Sequence, residues 1–259
     1  MSTRRKWAVS ALASSGFLAL GFVVLLLNPS ALYAHQTTTR HYTIYHNQPL
    51  DPALVLRLEQ ARAVVQTSEL FDATLRVEVC LNDGPRYPSL VQTIWGPAFA
   101  WSFSNKVVLN GEANALANQL TLHRYTWNLT SLLAHELTHC YQFQHLGLWR
   151  SNPLARYPTW KWEGYPEYVA RQPGSPKILL QRIASLRRAE QTAPGQWGIR
   201  LPDSTSTSRA YFKFLLLSEY CLDIKRMTYQ QVLRDTTGEA ATQQQMMTWY
   251  EHEAASEKR

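Results

Sequence analysis

Two histidines four residues apart, His135 and His139, bracket Glu136 in the stretch LLAHELTHCYQ (132–142). On an α-helix, residues four apart share one face a turn apart, so both imidazoles can turn toward one ion. Glu136 would then sit beside that ion, where a carboxylate can take a proton from an attacking water without being a ligand. A helix with two solvated histidines would spell the same letters, so the pattern needs a partner. A hydrolytic zinc centre takes three protein ligands and keeps a fourth position open. TWKWEGYPEYVA (159–170) offers the third in Glu163. Glu167 lies one turn further on the same face, where it could accept the far N–H of a ligating histidine and fix its orientation. Two acids at this spacing repel slightly on an exposed helix, and a cation with an imidazole between them would remove that penalty. Pro166 is expected near the first helical turn, where its missing N–H has no intrahelical partner.

These residues need elements to hold them. HYTIYHN (41–47) and LRVEVCL (75–81) alternate as strands do, and AFAWSF (98–103) and KVVLN (106–110) add one or two more. Between the first two, 52–70 has apolar residues at helical spacing, whereas 85–95 reads as loop. Asn128 or Thr130 can cap the HELTH helix, whose apolar stripe is Leu132, Leu133, Leu137, Cys140 and Phe143, and Gly147 can end it. Cys140 falls about 100° round that helix from His139, which predicts a core or disulfide position and not a ligand. Residues 148–160 read as loop, 175–191 as an amphipathic helix, 191–208 as a polar connection, and 209–224, 228–235 and 240–252 as helices. The expected class is α+β: a small mixed-sheet subdomain over 35–150 carrying HExxH, then a helical subdomain over 151–259.

HELTH followed by WEGYPEY resembles the gluzincin group of zinc metallopeptidases, in which a downstream glutamate on a second helix completes the ligand set. The order of elements before HExxH is similar to the first half of the zincin-like fold, and YFKFLLLSEYCLDIKRMTYQQVLRD to its later helices; Pro166 replaces a small residue usual in that motif. The resemblance implies Zn2+ held by His135, His139 and Glu163, with Glu136 as general base and Glu167 supporting His135 or His139 from behind. It further implies a peptide or protein substrate bound by strand addition, for which 106–110 is the expected strand, and an oxyanion stabiliser, expected at Tyr211. An inactive zincin-fold interaction module tethered to a membrane is the alternative, and a metal-free helical binding protein would instead hold Glu163 far from the two histidines.

Composition narrows the setting. The formal charge is +7, and Arg4, Arg5 and Lys6 contribute three of it. The other basic residues are scattered, which argues against nucleic acid as a partner. Cys80, Cys140 and Cys221 form no C-x-x-C, so a cysteine-based zinc site is excluded; one pair could form a disulfide, or all three could be buried thiols. His123, His145 and His252 read as surface histidines. The basic start followed by an uncharged run from Trp7 to Leu27 marks 1–34 as a signal peptide or a single membrane anchor with its N-terminus cytoplasmic. Either puts the rest outside the cytoplasm, anchored or, after cleavage near Ala34, secreted or periplasmic.

Overall fold

The computed structural model describes residues 21–84, 86–151, 157–172, 175–201 and 205–256. Most of the N-terminal uncharged run lies outside them. Its end, 21–27, is helical, and no helix among the described residues is long and apolar enough to cross a membrane.

A five-stranded mixed sheet forms the first half. Its strands are β1 (His35–Thr38), β2 (Tyr42–His46), β3 (Val77–Cys80), β4 (Ala100–Phe103) and β5 (Lys106–Leu109), in the order β1-β2-β3-β5-β4. The β2/β3 and β3/β5 pairs are parallel; β1/β2 and β4/β5 are antiparallel. The expected strand-addition segment at 106–110 is therefore not at an edge. All four β5 residues are buried between β3 and β4, and β4 closes the sheet. Alternation identifies a strand but says nothing about its neighbours, which is why the order was invisible.

The sheet is covered on both faces. Helix α1 (Pro52–Val65) starts where the Asp51 side chain accepts from Ala53 N, and its buried face is Leu54, Leu58, Ala61 and Val65. On the opposite face, a smaller core of Tyr45, Tyr87, Val91, Trp101 and Val108 lies beneath α2 (Tyr87–Trp95). This helix occupies most of the stretch expected to be loop. Pro88 sits in its first turn, where a proline costs no hydrogen bond, and Gly96 ends it at φ 79°.

A meander of β6 (Glu112–Asn114), β7 (Gln119–Leu122) and β8 (Tyr125–Asn128) then leads directly into α3 (Leu129–Leu146). The meander strands are three or four residues long, too short for a sustained alternation to read. Asn128 caps α3 by accepting from Ser131 N. Asn118, at φ 55°, accepts from Thr130 N and Thr130 Oγ1, so the meander turn fixes where the helix begins.

The second half is mainly helical: a short turn α4 (Leu148–Ser151), then α5 (Thr159–Arg171), α6 (Pro176–Thr192), α7 (Arg209–Glu219) with a π-type continuation Tyr220–Ile224, α8 (Tyr229–Arg234) and α9 (Glu239–Ser256). The connection expected at 191–208 holds a hairpin, β9 (Gly198–Arg200) with β10 (Ser206–Ser208). The main core runs from the sheet through α3 to α5, α6 and α7. Cys80, Cys140 and Cys221 are buried free thiols, not a disulfide pair.

Candidate metal centre

Helix α3 runs against α1 on one side and α5 on the other, with β4 alongside. Its burial places His135, Glu136 and His139 among the core residues, each no more than 6% exposed. The Nε2 atoms of His135 and His139 lie 3.1 Å apart. Glu163 Oε2 is 3.4 Å from the first and 3.2 Å from the second. Glu163 thus meets the histidines instead of lying apart from them, as a metal-free helical protein would require. One ligand atom from each residue falls within 4.8 Å of the others, and this is the His/Cys/Asp/Glu cluster among the described residues that could hold an ion.

The far side of each ring decides which nitrogen offers a lone pair. Gln142 donates its Nε2 to Trp162 O at 3.1 Å and to Tyr229 Oη at 2.6 Å. Its Oε1 must then face His139 Nδ1, 2.6 Å away, so that nitrogen carries the proton and Nε2 is left with a lone pair. His135 Nδ1 lies 3.3 Å from Glu167 Oε1, at ion-pair distance although not aligned as a hydrogen bond. Glu167 Oε2 accepts from Arg171 Nε at 2.7 Å.

Pro166 explains why Trp162 O is available. It is the eighth residue of α5, not part of its first turn as expected, because the helix begins earlier, at Thr159. A proline there cannot donate to the carbonyl four residues back, which is Trp162 O. Gln142 takes up that freed acceptor, so a missing helical hydrogen bond in α5 orients a histidine on α3.

The electrostatics follow from burial and proximity. Burial opposes charge on His135, but Glu163 and Glu167 outweigh it and lift the imidazole to about 10. Burial alone would raise Glu163, yet His139 and His135 hold it well below the usual carboxylate range. Burial likewise acts against ionised Glu167, and Arg171 with His135 overcomes it. Two imidazole lone pairs and one carboxylate oxygen converging in a buried space demand a positive centre. In the metal-free protein a proton on His135 meets that demand, and a divalent cation that binds nitrogen and oxygen can meet it through all three groups at once. The donor set fits zinc.

Tyr211 faces the same group, its ring 5.8 Å from that of His135. The Glu163 carboxylate and then burial push its phenol well above its ordinary value. Ser102 on β4 donates to Glu136 Oε2 at 2.6 Å and also contacts Glu136 O at 2.9 Å. Trp162 stacks on His139, centroids 5.6 Å apart. All these groups border one cleft of about 920 Å3 whose walls are strongly aromatic, with Trp95, Trp101, Trp127 and Trp197 among them. His123 is exposed at the border of that cleft; His145 and His252 are exposed surface residues. Cys140 points away into the core, its Sγ 3.8 Å from Lys106 O.

Gln142, Ser102 and Arg171 went unread in the sequence. Gln142 follows His139 by three and Arg171 follows Glu167 by four, spacings that put each pair on one helix face. Ser102 reaches Glu136 only through tertiary packing and leaves no local signal. No family model matches the chain and no curated protein matches it, so the two motifs and their geometry carry the functional reading.

Proposed function

We propose that this chain is a zinc-dependent peptidase of gluzincin type, with a zincin-like fold, acting outside the cytoplasm. The observation that carries the reading is the convergence of His135 Nε2, His139 Nε2 and Glu163 Oε2 beside Glu136 in one cleft. A bound zinc ion supplies an electrophile for the scissile carbonyl and brings the pKa of water toward neutrality.

The chain's own residues do the rest. Ser102 fixes Glu136 through Oε2, which leaves Oε1 to take a proton from the attacking water and deliver it to the leaving amine. Tyr211 stays protonated at neutral pH and donates to the oxygen on which charge develops. Gln142 and Glu167 keep both histidines turned inward. As the terminal strand beside the cleft, β4 offers the substrate backbone an antiparallel partner.

Metal analysis and a peptide-library digest test the proposal together. Purified chain is expected to hold one zinc per molecule at neutral pH and to cleave peptides in a chelator-sensitive way. Glu136→Gln should retain the metal and lose about 10²–10⁴-fold in rate. Absence of stoichiometric zinc, or full activity in Glu136→Gln, overturns it. Zinc without any cleavage favours a tethered interaction module instead.

A further inference from the structure

The segment 26–34 is stitched to the folded domain. Tyr87 Oη donates to Leu26 O at 2.6 Å, Tyr33 Oη to Leu81 O at 2.8 Å, and Ala34 N to Asn47 Oδ1 at 2.8 Å. Leu26, Leu32 and Tyr33 pack on the outer-face core beneath α2, and β1 begins at the next residue, His35. No slack linker separates the apolar run from the domain. Cleavage after Ala34 would strip these contacts from Tyr45 and Tyr87, which favours retention of the segment.

The same segment reaches the cleft. Leu27 lines it together with Trp95, His135 and Glu136. Leu27 and Trp95, which both line it, are about half exposed, and so are Val23 and Val24 on the 21–27 helix and Ile94 next to Trp95 in α2. A ridge of this kind on one side of a cleft calls for an apolar neighbour, and the chain identifies which. The uncharged run Trp7–Leu27 follows Arg4-Arg5-Lys6 and, as a helix, would measure about 30 Å, the thickness of a bilayer's hydrocarbon core. Trp95 at its exit matches the preference of tryptophan for the membrane–water boundary.

We infer that the ridge of 21–27 with Ile94 and Trp95 rests on a lipid bilayer, so that the cleft opens at the membrane surface and takes peptide segments lying next to it. The surface stands on the packing of 21–34 and on the uncharged run before it; the choice of substrate rests on the peptidase reading. The aromatic walls suit the apolar residues that such juxtamembrane segments carry.

The test uses the full chain in nanodiscs of phosphatidylcholine and phosphatidylglycerol. The three native thiols are buried, so a nitroxide can be placed selectively at Ile94→Cys or, as an aqueous reference, at Gln191→Cys. Oxygen is expected to relax the Ile94 label several-fold more than a water-soluble nickel chelate does, with the order reversed at Gln191. Equal nickel access at both sites overturns the surface. So does protection of the Ile94 label from both reagents with dipolar broadening, which would mean a second copy covers the ridge. Cleavage is then compared for one peptide free in solution and tethered to lipid with its scissile bond about 5 or about 30 residues from the bilayer, an extended residue covering about 3.5 Å. The near site should be cut at least tenfold faster than the far one, and Ile94→Glu should slow only the tethered peptide. Equal rates overturn the substrate assignment. A lipid-facing label with no cleavage of any peptide upholds the surface and overturns the peptidase reading.

Discussion

Helix α3 delivers His135, Glu136 and His139 from five consecutive residues, and their common face follows from 3.6 residues per turn. Helix α5 delivers Glu163 from a different part of the chain, and nothing in its own geometry brings that carboxylate to the histidines. Its position is set by contact with α7. Gly164 is the point of closest approach: a Cβ there would overlap Ser218 Oγ and stand 2.5 Å from Phe214 O. One arm of the site is thus local and the other is a product of packing. The two are coupled through Pro166, Trp162 O and Gln142.

That contrast can be broken from either side. Gly164→Ala should cost about 1–3 kcal/mol, because a methyl must displace the backbone of α7 as well as a side chain. Denaturant melts measure it, and the variant should also lose zinc affinity as Glu163 retreats while His135 and His139 stay put. Unchanged stability would mean that α5 is not held by this contact. Gln142→Leu keeps the α5–α7 contact but frees His139 to turn and leaves Trp162 O and Tyr229 Oη without its donor; zinc affinity should fall about 10–100-fold by calorimetry, with about 1–3 kcal/mol lost in the melt.

Proton competition sharpens the comparison further. In the metal-free protein His135 holds its proton up to about pH 10, so a cation must displace it. Apparent zinc affinity should therefore rise about tenfold per pH unit between pH 6 and 8. The sign is opposite for the metal-free fold. A raised histidine pKa stabilises it fully below 6.5, and that contribution fades as pH climbs through 10. A melt series with chelator should lose stability where one with zinc does not. The smallest effect is expected for Pro166→Ala. It restores an N–H that competes for Trp162 O, and zinc affinity should drop a few-fold while the helix itself gains.

The HELTH helix and the two acids of α5 were legible in the sequence because i,i+4 spacing is a property of the backbone. So was its end at Gly147, while its cap, narrowed by sequence to Asn128 or Thr130, is Asn128. The zone from 85 to 95 reads as loop because Pro88 looks like a helix breaker until its place in the first turn is known. The meander at 112–128 and the hairpin at 198–208 were missed since their strands are three or four residues long, with no sustained alternation. The edge position of β4 and the reach of Ser102 to Glu136 belong to tertiary order, which no periodicity records. Pro166 was visible, but its role depended on where α5 starts.

The buried thiols give the molecule one more property. Burial pushes all three up, so that at neutral pH they are protonated as well as hidden. Cys80 lies in the sheet, Cys140 under the histidines, and Cys221 at the π-type turn of the helical half. A thiol reagent added to the native protein would react at each only when that neighbourhood opens. The chain consequently carries three built-in clocks for local opening. The order in which they are labelled would show which half of the fold lets go first.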